Sequence, residues 1–233
     1  MNILELESVC SGYNRTIIIR DITLSVPQGS ITSILGRNGV GKSTLLKTIM
    51  GLVRIERGEM RYRGSSLIGL KPFEIANAGI AYTPQEEENS IFPDLTVSEN
   101  LAIGLQPKFF RAAIKATLEY FPQLQSRQKQ KAGTLSGGEK KMVILCRTMI
   151  RDPQLMFLDE ISEGLQPSMI LKVEEILSTI NKEKKTTVVV VEQNVKFSLK
   201  VAKYYVIMNQ GRIVENGAIG EGAKETIEKH LVI

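Results

Sequence analysis

The sequence predicts an α/β fold. A mostly parallel sheet lies between layers of helix, with an antiparallel β subdomain near the start and an inserted helical subdomain. Three observations lead there. Apolar runs of strand length, Ile31–Leu35, Leu155–Leu158 and Thr187–Val191, alternate with stretches of helical spacing. Residues 3–26 instead alternate apolar and polar in two runs, Ile3–Val9 and Ile17–Val26, as antiparallel strands do. Residues 86–150 change character and carry three patterns of helical period.

Each element has its own signal. Pro27-Gln28-Gly29-Ser30 is a turn leading into Ile31–Leu35. Leu45, Leu46, Ile49 and Met50 then recur at helical spacing. Gly51, Gly58 and Gly64 punctuate a short strand, Glu59–Arg63. A helix is expected from Pro72 to Ala78, then a strand at Ile80–Thr83 ended by Pro84-Gln85. Glu86–Asn89 reads as an acidic loop. Helices are expected at Val97–Leu105, Lys108–Phe121 and Glu139–Ile150, with Ser98 and Ser136 as N-caps. The strand Leu155–Glu160 follows, then a helix at Ser168–Ile180, the strand Thr187–Val191 and a helix at Val195–Ala202. A strand, Tyr204–Asn209, turns at Gly211 into Arg212–Glu215, and residues 220–233 read as a short helix.

At 233 residues the chain can bury one large core with a small appended subdomain, so 1–233 is expected to be a single domain. Charged residues make up 24% and mean hydropathy is −0.03, which excludes a disordered chain. No apolar run approaches the ~18–20 residues of a membrane span. The N-terminus lacks a basic region followed by an apolar one, so a cytoplasmic location is expected. Cys10 and Cys146 fit no metal spacing and read as buried, reduced thiols. The net charge is +5. Basic residues are scattered apart from small clusters at Arg127–Lys131 and Lys182–Lys185, with no aromatic-rich motif beside them. A mildly basic solvated surface is the reading, and no nucleic acid is expected.

The chemistry starts at Gly36-Arg37-Asn38-Gly39-Val40-Gly41-Lys42-Ser43-Thr44, which has the spacing of a phosphate-binding loop between a strand and a helix. Its glycines let backbone N–H groups face phosphate oxygens, and the helix N-terminus adds positive potential. Lys42 reaches the β- and γ-phosphates, and the Ser43 hydroxyl is a Mg²⁺ ligand. The bare pattern arises by chance in a chain this long about once in a hundred, and the strand–loop–helix setting lowers that further. The apolar run Leu155–Leu158 ends in Asp159 and Glu160, at the strand end where α/β sheets bind ligands. Asp159 is placed to hold Mg²⁺, and Glu160 to orient or deprotonate an attacking water. Gln85 lies at another strand end. Ser136-Gly137-Gly138 opens a helix and forms a second anion-binding turn, which as a lone motif would be only a cap. Tyr13, between Gly12 and Asn14, offers a ring for stacking on a base, or is a half-buried turn residue.

With these residues in place, the chain resembles the ATP-binding subunits of ABC transporters over essentially its whole length. Gly36–Thr44 matches the phosphate loop. Gln85 is similar to the Q-loop glutamine, Leu135–Glu139 to the LSGGQ signature, and Leu155–Glu160 to the Walker B strand with its catalytic glutamate. Tyr13 resembles the adenine-stacking aromatic. The resemblance implies a P-loop ABC ATPase with a RecA-like core and β subdomain at 1–86 and 151–233, and a helical subdomain at 87–150. It implies ATP and Mg²⁺ as cofactors. Nucleotide would be held by Tyr13, Gly36, Asn38, Gly39, Gly41, Lys42, Ser43 and Thr44, with Ser136, Gly137 and Gly138 serving the partner's site. Metal ligation would fall to Ser43, Gln85 and Asp159, and catalysis to Glu160, Gln85 and Gln193.

Glu192-Gln193-Asn194 and Ser162–Pro167 look like an ATPase of branched-chain amino acid uptake. Leu35–Lys42, Gly79–Tyr82 and Gly164–Ser168 resemble the urea-uptake branch. The resemblance implies a second, different ATPase subunit, two permease subunits, an external solute-binding protein, and a place at the cytoplasmic face of the membrane. Five positions depart from the wider family. Gln193 stands where most members have a histidine, and the only histidine here is His230. Ile161 replaces the usual proline, Gln166 the D-loop aspartate, and Lys140-Lys141 the glutamines common after the signature. Glutamine donates a hydrogen bond but carries no proton charge near neutral pH, which implies a heterodimer with unequal sites. The alternatives are a soluble ATPase of this type acting on nucleic acid or ribosomes, and a lipid or lipopolysaccharide exporter ATPase.

Overall fold

Two sheets share the chain. The computed structural model describes residues 1–14, 16–85, 90–106 and 110–231. The antiparallel sheet forms first, from β1 (Asn2–Tyr13) and β2 (Thr16–Pro27), joined by β4 (Ile55–Tyr62) and β5 (Ser65–Ser66) in the order β2-β1-β4-β5. The second sheet takes β3 (Ile31–Leu35), β6 (Ile80–Thr83), β7 (Leu155–Asp159), β8 (Thr187–Glu192), β9 (Tyr204–Asn209) and β10 (Arg212–Ala218). Its order is β10-β9-β3-β8-β7-β6, parallel throughout except for the β9–β10 hairpin. The expected α/β fold with an antiparallel β region is what forms.

The central strands read as unbroken apolar runs because both of their faces are covered. Side chains alternate between the faces. Met156, Leu158, Val188 and Val190 join a core beneath α3 (Val97–Ala102), α4 (Phe110–Leu118), α6 (Gly137–Met149) and α7 (Pro167–Lys184). Leu155, Phe157, Val189 and Val191 join a second core against α1 (Lys42–Ile49) and the antiparallel sheet. Each such fully buried side chain contributes about 1.5–3 kcal/mol. The short helices α2 (Pro72–Asn77) and α5 (Pro122–Gln125) both start on proline, whose fixed φ suits the first turn. Helix α8 (Val195–Val201) follows β8, and α9 (Ala223–Leu231) closes the described chain.

Several expectations need correcting. The N-cap of α3 is Thr96, not Ser98. The Thr96 hydroxyl accepts from Glu99 N–H, and the Glu99 carboxylate accepts from Thr96 N–H. That reciprocal pair needs Thr/Ser three residues before Glu, which Thr96 satisfies and Ser98 does not. Helix α3 ends at Ala102 rather than Leu105, with Gly104 at φ 77° just beyond it. The expected helix Lys108–Phe121 is α4, which ends at Leu118 rather than Phe121; residues 108 and 109 lie outside the described ones, and α5 is a separate short helix beyond it. The acidic loop Glu86–Asn89 also lies outside them. Helix α7 runs to Lys184, beyond Ile180, because Lys182 and Lys184 suit a helix C-terminus. Strand β4 starts at Ile55 rather than Glu59. Cys10 and Cys146 are buried free thiols, and burial raises the Cys146 pKa strongly.

Within the helical layer, Asn100 is fully buried and organises the turn before α3. Its amide donates to the carbonyls of Phe92, Leu95 and Thr96 at 2.9, 3.3 and 3.0 Å, and its oxygen accepts from Phe92 N–H at 2.9 Å.

Candidate functional site

The loop after β3 turns directly into α1. Gly41, the N-cap, sits at φ 105°, a left-handed geometry that glycine adopts freely. Gly211, at φ 77°, is also required: a Cβ there would lie 1.8 Å from the Ile18 carbonyl oxygen. Its N–H donates to Val40 O at 2.9 Å, and its carbonyl accepts from Arg20 N–H at 2.8 Å. The β9–β10 turn therefore props the loop against β2. Among the described residues, the N–H groups of Gly41, Lys42, Ser43 and Thr44 donate to no protein acceptor. They form an anion cradle at the start of a two-turn helix.

Lys42 is buried. Its ammonium donates to Gly36 O at 2.9 Å and Arg37 O at 3.0 Å, and it lies 3.2 Å from Glu160 Oε1. Glu160 follows β7 at φ 49°, in the left-handed region. Its carboxylate also accepts from Gln85 Nε2 at 2.8 Å and from Gln193 Nε2 at 3.3 and 3.4 Å. Gln85 donates in addition to Glu163 Oε2 at 2.8 Å, and Gln193 to Asn38 Oδ1 at 2.7 Å. Asp159 is buried beside them. Ser43 Oγ donates to its Oδ1 at 3.0 Å and Tyr82 O–H to its Oδ2 at 3.1 Å. Burial pushes the Asp159 pKa up, while Ser43 and Tyr82 hold it down.

Lys42, Ser43, Gln85, Asp159, Glu160, Asn38 and Gln193 thus converge from four separate segments. The structure does not bring Ser136, Gly137 and Gly138 into that cluster. Ser136 caps α6, and the partner of its hydroxyl is Glu139, whose pKa is lowered chiefly by the Ser136 backbone N–H. Tyr13, at the end of β1, is 42% exposed and makes no described contact with the loop. Gly36, Gly39 and Thr44 belong to the loop and the first turn.

Sequence reasoning missed four residues around this cluster. Tyr82 reaches Asp159 across neighbouring strands. Buried Lys141 donates to the carbonyls of Glu160 and Glu163. Glu192 binds Ser162, and Arg37 donates to Leu231 O at 3.0 and 3.1 Å. Tyr82 and Glu192 carried a signal, since each is a polar residue at or near the C-terminal end of a core strand.

The fit of the implied groups follows from the donor set. Ser43 and Asp159 offer only oxygen, which suits a hard cation such as Mg²⁺. Among the described residues, no three His, Cys, Asp or Glu side chains gather to cage a metal. The free N–H groups at the loop and the Lys42 ammonium suit a polyphosphate.

Comparisons with known proteins place the chain in a family. A family model described as ABC transporter matches residues 19–163. The high-affinity branched-chain amino acid transport ATP-binding protein BraG of Pseudomonas aeruginosa is 38% identical over 91% of this chain and 91% of its own. The probable branched-chain amino acid transport ATP-binding protein LivF of Archaeoglobus fulgidus is 35% identical over 91% of this chain and 90% of its own. A crystal structure of a nucleotide-free ATP-binding cassette from an ABC transporter superposes with a TM-score of 0.87 at 25% identity, covering 98% of this chain and 96% of that one.

Proposed function

The chain belongs to the ABC transporter family, and from that premise we propose that it works as one of two unlike ATPase subunits powering uptake of a branched-chain amino acid or a urea- or amide-type solute. It is an ATP-binding and ATP-hydrolysing transport subunit. The solute class is supported by the names of the BraG and LivF relatives and, for urea and amides, by the motif resemblance alone. The observation that carries the mechanism is the convergence of Lys42, Gln85 and Gln193 on one carboxylate, Glu160.

In the resting arrangement the Glu160 carboxylate is engaged by the Lys42 ammonium and by the amides of Gln85 and Gln193. A γ-phosphate entering the loop competes for Lys42, drawing its charge away from Glu160. Glu160 then accepts a hydrogen bond from the attacking water and takes its proton. Gln193, tied to Asn38, donates toward the phosphate. Ser43, Asp159 and Gln85 hold Mg²⁺, which when bound neutralises charge on the transferring phosphoryl group. Tyr13, exposed, stacks on the adenine. Ser136, Gly137 and Gly138, apart from this cluster, complete the site of a partner ATPase.

In the same reading, the core spans 1–86 and 151–233, and the helical subdomain spans 87–150. Between them lies a groove of about 480 Å³ lined by Met50, Asn77, Tyr82, Ile103, Arg147 and Arg151, among others. It suits a short cytoplasmic helix of a permease subunit. Tyr82 lines the groove and also donates to Asp159, so docking there reaches the metal carboxylate. Among the described residues, no helix is long and apolar enough to cross a membrane. Attachment at the cytoplasmic face then depends on the permeases, and an external binding protein delivers the solute.

Two experiments test this. Purification of the tagged chain from solubilised membranes is expected to recover multispanning proteins and a second ATPase. Recovery of ribosomes or DNA in their place overturns the transport role. Gln193→His is expected to speed hydrolysis, and an unchanged rate removes the argument for unequal sites.

A further inference from the structure

The turn after Glu160 is held from two sides by buried charged side chains that touch neither the phosphate loop nor Asp159 through any described hydrogen bond or ion pair. Glu192 ends β8 and is 2% exposed. One of its oxygens accepts from Ser162 N–H at 3.0 Å, and the other accepts from Ser162 Oγ–H at 2.8 Å. From another element, Lys141 on α6 donates to the carbonyls of Glu160 and Glu163. The turn itself is short: Glu163 N–H donates back to Glu160 O at 3.2 Å. Glu160, a non-glycine residue at φ 49°, keeps that left-handed geometry only where its surroundings over-determine it.

Glu192 is also the residue before Gln193. The strand end that aims Gln193 at Asn38 and Glu160 is therefore the strand end that grips the Glu160 turn. A carboxylate buried this deeply is costly and is retained only with full hydrogen bonding, which Ser162 supplies twice over.

We infer that Glu192 is a positioning residue for ATP hydrolysis: through its paired hydrogen bonds to Ser162 it fixes the Glu160 turn relative to Gln193. It touches no reacting atom. Loss of the clamp lets Glu160 rotate away from the line of attack while leaving the phosphate cradle at Gly41–Thr44 intact. This rests on Glu160 as the proton acceptor.

The test uses the purified chain under single-turnover conditions, with ATP affinity measured separately by a fluorescent nucleotide. Ser162→Ala and Glu192→Ala are expected to lower the hydrolysis rate about tenfold or more, because small misplacements of a catalytic group are that costly. ATP affinity is expected to stay within about twofold, the pattern of an interaction felt in the transition state alone. Glu192→Gln is expected to restore most of the rate, since its oxygen still accepts from Ser162 N–H and its amide donates to Ser162 Oγ. Ser162→Ala removes one oxygen atom and decides the matter if Glu192→Ala does not fold. Unchanged rates in both alanine variants overturn the inference, and so does a glutamine variant as slow as the alanine one. Glu160→Gln runs alongside. If it abolishes turnover while the Glu192 variants do not slow it, the clamp alone fails. If Glu160→Gln turns over normally, the reading of the site fails with it.

Discussion

Replacing Lys42 with methionine keeps most of the apolar stem and removes the ammonium. Glu160 is then left as a buried carboxylate without its cation. Breaking one side of a buried ion pair costs about 3–5 kcal/mol. Here Gln85 at 2.8 Å and Gln193 at 3.3–3.4 Å still donate to the carboxylate, so the expected loss is at the lower end, about 3 kcal/mol. For a chain of this length each kcal/mol lowers the melting temperature by about 2–4 °C, so Lys42→Met is expected to melt roughly 10 °C lower in the absence of nucleotide. Glu160→Gln alone leaves Lys42 bonded to Gly36 O and Arg37 O and is expected to cost about 1 kcal/mol. The double variant removes the unpaired charge, so the cycle is expected to show a coupling of about 2 kcal/mol. The assay is thermal or urea unfolding of all four proteins without nucleotide. Additive effects, or a Lys42→Met loss below about 0.5 kcal/mol, would falsify the view that the resting site is locked by this pair.

Other outcomes follow from single contacts. Asn100→Ala leaves Phe92 N–H without its acceptor, while the carbonyls of Phe92, Leu95 and Thr96 keep backbone donors at Leu95, Ala132 and residue 100. It is expected to cost about 1–3 kcal/mol, read as a lower urea midpoint at constant slope. Thr96→Ala is expected to cost about 1 kcal/mol and Ser98→Ala almost nothing, since only Thr96 caps α3. Burial pushes the Glu192 pKa up from 4.5 to about 7, so between those pH values the folded chain binds more protons there than the unfolded chain. The contribution of Glu192 to stability is therefore fullest below pH 4.5 and falls as pH rises towards 7, by roughly 3 kcal/mol in all. Unfolding of Glu192→Gln, measured beside the parent across that range, is expected to lack this component. Parallel pH curves for the two proteins contradict the assignment.

The parts legible in the sequence are those written in contiguous residues. Gly36–Thr44 carries its chemistry in its spacing, and Asp159-Glu160 is marked by the apolar strand before it. Strands β3, β7 and β8 are visible because burial on both faces turns them wholly apolar. The Thr96-x-x-Glu99 cap is also written there, whereas Ser98 has Leu101, not Glu or Gln, three residues on. Pro167 and the lysines near residue 184 likewise mark the true ends of α7. What was not legible depends on contacts between distant segments. Tyr82 meets Asp159 only because β6 and β7 pair in register. Lys141 looks like a surface substitution beside Lys140 until α6 turns it inward. Glu192 looks like part of a polar tripeptide until β8 delivers it to Ser162.

The central claim is that Glu160 performs the proton-accepting role in a site whose phosphate cradle works without it. The most direct test compares ATP binding and single-turnover hydrolysis in the parent chain and in Glu160→Gln. The account expects ATP binding to be retained and hydrolysis to fall by about a hundredfold or more, the scale of a lost general base. Hydrolysis by Glu160→Gln within about twofold of the parent contradicts it, because an essential proton acceptor cannot be lost without a change in rate.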